Sequence, residues 1–273
     1  MSIDTTTRST TRNTSSPARR RVMAMSAAEL RLLLRNKTAL FMVLAMPLLL
    51  VGALSVVAED VGINLGVYLA GTLIGFVLLF VVYYNLVTTY VARREELVLK
   101  RLRTSEARDR EVMLAGAVPS LAIAAAQIVL GVLGAVLLLD MGAPVNPLLV
   151  IVAVIAGSAV FVLLALVSTV FTRTTELAQV TTMPLMIVCL LLSGLTFPLD
   201  FLPDVAAGAA RLLPLTPIVE LTQLGLAGAV GEADPVGFPA TFSEAVIPFV
   251  VLVLWLYLGV YGVRRWFRWD PRA

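Results

Sequence analysis

Six stretches of this sequence, each about 20 residues long or longer, contain no Asp, Glu, Lys or Arg. They run from Ala39 to Ala58, Gly66 to Ala92, Val112 to Leu139, Pro147 to Phe171, Ala178 to Phe197 and Ala245 to Val263. An α-helix of that length crosses a hydrocarbon core of about 30 Å, whereas membrane-barrel strands are about 10 residues long and alternate in polarity. A mean hydropathy of +0.93 and a charged fraction of 14% leave too little polar surface for a water-soluble globule. The expected fold is an all-α integral membrane protein with six transmembrane helices.

The basic residues orient it. Eight precede the first span, seven lie between the second and third, Arg173 lies between the fourth and fifth, and four follow the sixth. Twenty of the twenty-one Lys and Arg therefore fall on one side, with Arg211 alone on the other, while the eighteen acids divide evenly. A Lys/Arg bias of this kind places both termini in the cytoplasm. Residues 1–21, rich in Ser, Thr and Arg, read as a disordered cytoplasmic tail, 22–265 as the membrane domain and 266–273 as a C-terminal tail. Val22 to Lys37 fits an interfacial cytoplasmic helix lying on the bilayer, with a plain basic linker as the alternative. No secretory signal is expected, because the first apolar run begins near Ala39 and is long enough to span.

Pro47, Pro119 and Pro248 are expected to kink or thin the first, third and sixth spans. Gly71 and Gly75 form a GxxxG pattern that serves close packing within the subunit or a dimer seam. The loop after the fifth span is half apolar but broken by Pro198, Pro203, Pro214 and Pro217. It reads as two short re-entrant or interfacial external helices, about Leu202 to Leu213 and Pro217 to Gly228. Thr216 is the expected cap, Pro217 the first helical residue and Glu220 an acid in the first turn.

Much chemistry is excluded. The chain has no His and one Cys, Cys189, which removes histidine bases, histidine metal ligands, thiolate clusters and an internal disulfide. None of the six spans holds the ionisable group that ion-coupled carriers and pumps use. The only lysines, Lys37 and Lys100, are preceded by Asn36 and Leu99 rather than the glycine of a phosphate-binding loop. Any ATPase must be another polypeptide.

One segment stands apart: twelve of the nineteen residues from Arg93 to Glu111 are charged. At helical spacing Val98, Leu99 and Leu102 share a face with Glu95 at one end and Glu106 at the other, an apolar stripe suited to a partner's groove. Thr104 and Ser105 interrupt it, making a helical elbow between the second and third spans. A solvated loop with ordinary i,i+4 ion pairs accounts for the same pattern, and spacing does not separate the two.

These features resemble the permease subunits of ABC type-2 exporters, in particular their drug-resistance branch. The likeness rests on "LRLLLRNKTALFMVLAMPLLL", on "RREELVLKRLRTSEARDREVMLAG" after the second span, on "LSGLTFPLDFLP" and on "LLPLTPIVELTQ". Leu97 stands where that family commonly has Gly, and Ser105 where it commonly has Pro. The resemblance implies a permease domain over 22–265, with Glu95, Glu96, Val98, Leu99, Leu102 and Glu106 coupling it to a separate cytoplasmic ABC ATPase. It further implies two ATPase copies carrying ATP and magnesium, a second permease as homodimer partner, and a bacterial plasma membrane location, with no cofactor on this chain and no nucleic acid.

The expected function is ATP-driven export of hydrophobic or amphipathic compounds, drug-like or lipid-like, with a lipid-linked glycan as alternative cargo. A secondary carrier or channel is disfavoured by the uncharged spans, and a membrane enzyme by the missing catalytic groups; a scaffold remains an alternative. Tyr83, Asn85, Thr88, Gln127, Thr182 and Ser193 are the polar groups that would line a path. Each could equally bond a neighbouring helix or its own backbone.

Overall fold

The computed structural model describes residues 65–95, 109–139, 141–196, 199–231 and 233–266, all helix and short connection with no strand among them. The expected first span, the Val22–Lys37 helix and residues 96–108 of the charged segment lie outside the described residues. Helix α1 (Leu65–Phe76) runs through a π-helical segment (Val77–Tyr84) into α2 (Asn85–Glu95). Then come α3 (Asp109–Leu138), α4 (Pro147–Phe171) and α5 (Thr175–Leu192). A 3-10 turn at Leu199–Phe201 leads to α6 (Asp204–Ala210), α7 (Thr216–Ala227), α8 (Thr241–Glu244) and α9 (Val246–Trp266). Among the described residues five stretches are long and apolar enough to cross a membrane: Leu65–Glu95, Gly116–Leu137, Pro147–Phe171, Thr175–Leu192 and Val246–Trp266.

The Leu65–Glu95 rod is the hub. It is buried along most of its length, while the other four long helices keep much apolar surface exposed, as lipid-facing or partner-facing helices do. Its π-helical centre is written entirely in apolar and aromatic residues, so nothing in the pattern announces it. The Asn85 N–H reaches back to the Phe80 carbonyl, five residues away, which is the π register. Around the rod, α9 lies along α4 with glycines at the contact. A Cβ on Gly259 would stand 2.8 Å from the Leu163 Cβ, and one on Gly262 3.0 Å from a Val167 methyl. At Gly75 the same holds against Leu195, whereas Gly71 faces open space, so only half of the GxxxG pattern is a contact within this chain.

Several expectations are corrected. The fifth long helix stops at Leu192 rather than Phe197, because Ser193 leaves helical geometry and Gly194 takes a φ of +77°. Pro184, not singled out above, sits inside α5. Pro248 falls in the first turn of α9, just past the break from α8, where its missing N–H interrupts no helix interior. Thr216 does not cap α7: its hydroxyl donates to the Ala210 carbonyl at 2.6 Å, tying the helix back to α6. Glu220 lies beyond the first turn. Helix α7 is buried on nearly every face, against α4, α9 and α1, rather than lying on a surface. It ends at Gly228, whose φ of +73° and close approach to the Val236 carbonyl oxygen, 2.5 Å from a built Cβ, both require glycine.

Candidate functional site

Where α2 ends, polar side chains join three helices. Arg94 and Glu95 are adjacent in sequence and opposite in charge, and they reach to opposite sides of the short turn between α4 and α5. The Arg94 guanidinium donates to the Thr169 carbonyl at 2.8 Å, to the Thr172 carbonyl, and to the Arg173 carbonyl at 3.4 Å. These oxygens lie at the C-terminal pole of α4, where carbonyls lack helical partners and the dipole is negative. Glu95 Oε2 accepts from the Thr175 N–H at 3.3 Å and the Thr175 hydroxyl at 3.0 Å, at the positive N-terminal pole of α5. Thr174 caps the same helix from within, accepting the Leu177 N–H. The first-turn amides of α5 thus have one local cap and one supplied by α2.

The start of α3 joins this junction. The Tyr90 hydroxyl donates to the Met113 carbonyl at 2.7 Å, and Gly116 lets Tyr90 and Arg93 come within 2.9 Å of where a Cβ would stand. Arg264 and Arg265, in the last turn of α9, lie at the same end, since α9 runs alongside α4 in the same direction. Arg211 is not at that end: the Trp255 indole N–H donates to the carbonyl of its neighbour Leu212 at 2.8 Å, which sets it near mid-length of α4 and α9. There Glu220, almost fully buried, sits 4.0 Å from the exposed Arg211; burial raises its carboxyl pKa and the nearby guanidinium lowers it, with burial the larger effect. Asn146 organises the end opposite the arginines: it caps α4 through the Leu149 N–H, donates through Nδ2 to the Thr241 hydroxyl at 2.8 Å, and through its backbone N–H to the Gly225 carbonyl at 2.8 Å.

This bundle, with five apolar helices and basic residues gathered at one end, is matched by one family description, the ABC-2 type transporter, over residues 20–226 of the 273. The chain belongs to the ABC-2 type transporter family. It is a membrane permease of the ABC exporter type, and the matched domain is a transmembrane one, not an ATPase. No curated protein matches the chain.

Of the coupling residues expected in this permease, Glu95 is placed, its carboxylate turned to Thr175 on the chain's own α5. Glu96, Val98, Leu99, Leu102 and Glu106 lie outside the described residues. The path residues are all placed, and they do not share one surface. Tyr83 is buried with its hydroxyl 2.9 Å from Ser168 on α4, and its ring tilts against Phe161. Asn85 is exposed and donates to Ser120 on α3 at 2.9 Å. Thr88, half-buried, bonds its own backbone at Asn85 and Tyr84. Thr182 is buried and donates to the Ala178 carbonyl at 2.8 Å. Gln127 is buried in α3, and Ser193 is buried at the end of α5 with no hydrogen-bond partner for its hydroxyl among the described residues. The Thr172 to Thr175 turn and Asn146 were missed from the sequence. "VNPLL" and "RTTEL" carry cap signatures that could have flagged both, but their distant partners are invisible along the chain.

Proposed function

We propose that this chain is the membrane subunit of an ATP-driven exporter of hydrophobic or amphipathic compounds, drug-like or lipid-like, working as a homodimer with two copies of a separate ATPase. The end that holds Arg93, Arg94, Arg173, Arg264 and Arg265 faces the cytoplasm, and α6 and α7 form a re-entrant pair on the outer side, before the sixth span. The segment after Glu95 is the elbow on which the ATPase pushes. One observation carries this reading: within an ABC-2 permease, the helix that leads into the charged segment is the buried hub of the bundle, bonded at its end to two further helices. A push delivered there reaches the whole bundle, as a motor-driven transporter requires. Members of this family generally work with an ATPase subunit, and the lack of a phosphate-binding loop here agrees with that division of labour.

The experiment is reconstitution. The purified chain is assayed for ATP hydrolysis alone and with candidate ABC ATPase subunits that carry a Walker motif. Turnover and export are expected only for the pair, and ATP turnover by the rigorously purified permease alone would refute the reading.

A further inference from the structure

We propose that Arg94 and Glu95 are positioning residues that lock the end of α2, the end of α4 and the start of α5 into one rigid unit, through which a displacement of α2 is carried into α5 without slack. The inference rests on the reading of the chain as an ATP-driven exporter, and it names the route by which force leaves the hub helix.

Three observations carry it. First, the charges match the poles they touch. The cation meets the carbonyl end of α4 and the acid meets the amide end of α5, so exchanging the two would set each against a pole of its own sign. Second, the contacts fix orientation as well as distance. A planar guanidinium held by carbonyls at Thr169, Thr172 and Arg173 cannot swivel as a lysine ammonium would, and one Glu95 oxygen takes both the N–H and the hydroxyl of Thr175. Third, among the described residues α5 has little other support. It packs against α2 more than against any other helix, and most of its apolar side chains, Val180, Ile187 and Leu191 among them, are exposed. A helix so loosely held follows whatever grips its end, and what grips this end is Glu95.

The test uses the full chain in nanodiscs with its ATPase, on a Cys189→Ala background. One nitroxide pair, at Ala92→Cys and Val180→Cys, spans the junction; a second, at Leu148→Cys and Leu191→Cys, reports the far end of α5 against α4. The expected result for the parent chain is one narrow distance across the junction, the same without nucleotide and after trapping with ATP and vanadate, together with a nucleotide-driven shift at the far end. Combining Arg94→Gln with Glu95→Gln should broaden the junction distance, without nucleotide as well as after trapping, and abolish the far-end shift. Arg94→Lys, which keeps the charge and loses the fork, should give an intermediate effect, as should Thr175→Val, which keeps the N–H contact.

A junction distance that changes on trapping in the parent chain overturns the proposal. So does a double variant that is thermally destabilised yet keeps its far-end shift, since that is the signature of static caps. If the parent chain binds no ATPase, the exporter reading fails, and the nucleotide-free junction distances of parent and double variant still decide whether the lock exists.

Discussion

Replacing Gly225 by Ala tests whether α7 is as tightly seated as the structure has it. In an unobstructed helix the change gains up to about 1 kcal/mol, because glycine loses more backbone freedom on folding. Here the added Cβ would stand 2.6 Å from a Val150 methyl, 2.9 Å from the Asn146 carbonyl oxygen and 3.0 Å from the Val150 nitrogen. A methyl can turn aside, but the other two atoms belong to the backbone at the start of α4, held by the Asn146 cap. Helix α7 must therefore back away. Overpacking of this kind costs about 1–3 kcal/mol, and stretching the 2.8 Å bond from Asn146 N–H to the Gly225 carbonyl adds about 1 kcal/mol. After the propensity gain, a net loss of about 1–3 kcal/mol remains, a fall in melting temperature on the order of 5 °C.

The assay is thermal unfolding of the purified chain in nanodiscs. Gly208→Ala serves as control, since nothing lies within 4 Å of its built Cβ in α6 and its φ is not positive; it should melt at or slightly above the parent. If Gly225→Ala also melts at or above the parent, α7 is not seated against α4 at this distance, and its description as a buried helix is wrong.

Three other outcomes are expected. An impermeant maleimide added to intact cells should label Arg211→Cys and leave Arg264→Cys unlabelled, on a Cys189→Ala background; the reverse pattern would invert the topology. Changing Leu99 and Leu102 together to Asp should abolish co-purification of the ATPase, because unpaired charge in an apolar groove costs several kcal/mol, while Lys100→Gln should have a much smaller effect; normal export by the double variant would leave the charged segment as a topology signal alone. Stability should fall as pH rises from the ordinary carboxylate range through the raised pKa of Glu220, because the native state holds that proton more tightly than the unfolded chain does. Thermal melts of Glu220→Gln should lose this dependence, and an unchanged pH profile would show that Glu220 is not desolvated.

How much of this protein was written along the chain is clearest at three places. The limits of Pro147–Phe171 were legible to the residue, because Pro147 and the charge at Arg173 bound an uncharged, largely apolar run. Membrane class and the gathering of Arg93, Arg94, Arg173, Arg264 and Arg265 at one end of the bundle followed in the same way, since both depend on local composition and on the cost of placing charge in hydrocarbon. At Thr216 the same local logic failed: a cap signature was present, but the hydroxyl found the Ala210 carbonyl six residues upstream.

What tertiary structure alone decided was which of several equally apolar helices became the hub, where the helix widened into a π segment, and which polar groups met. Tyr83, Asn85 and Arg94 were all visible as polar residues in or beside one span. Nothing in their spacing distinguished a partner on α4 from one on α3, or on the α4–α5 turn, from an open path. In water, amphipathic periodicity marks the face of a helix that turns inward. In hydrocarbon every face is apolar, so the choice of inward face passes to side-chain shape and to rare hydrogen-bonding groups, whose partners lie 35 to 85 residues away along the chain.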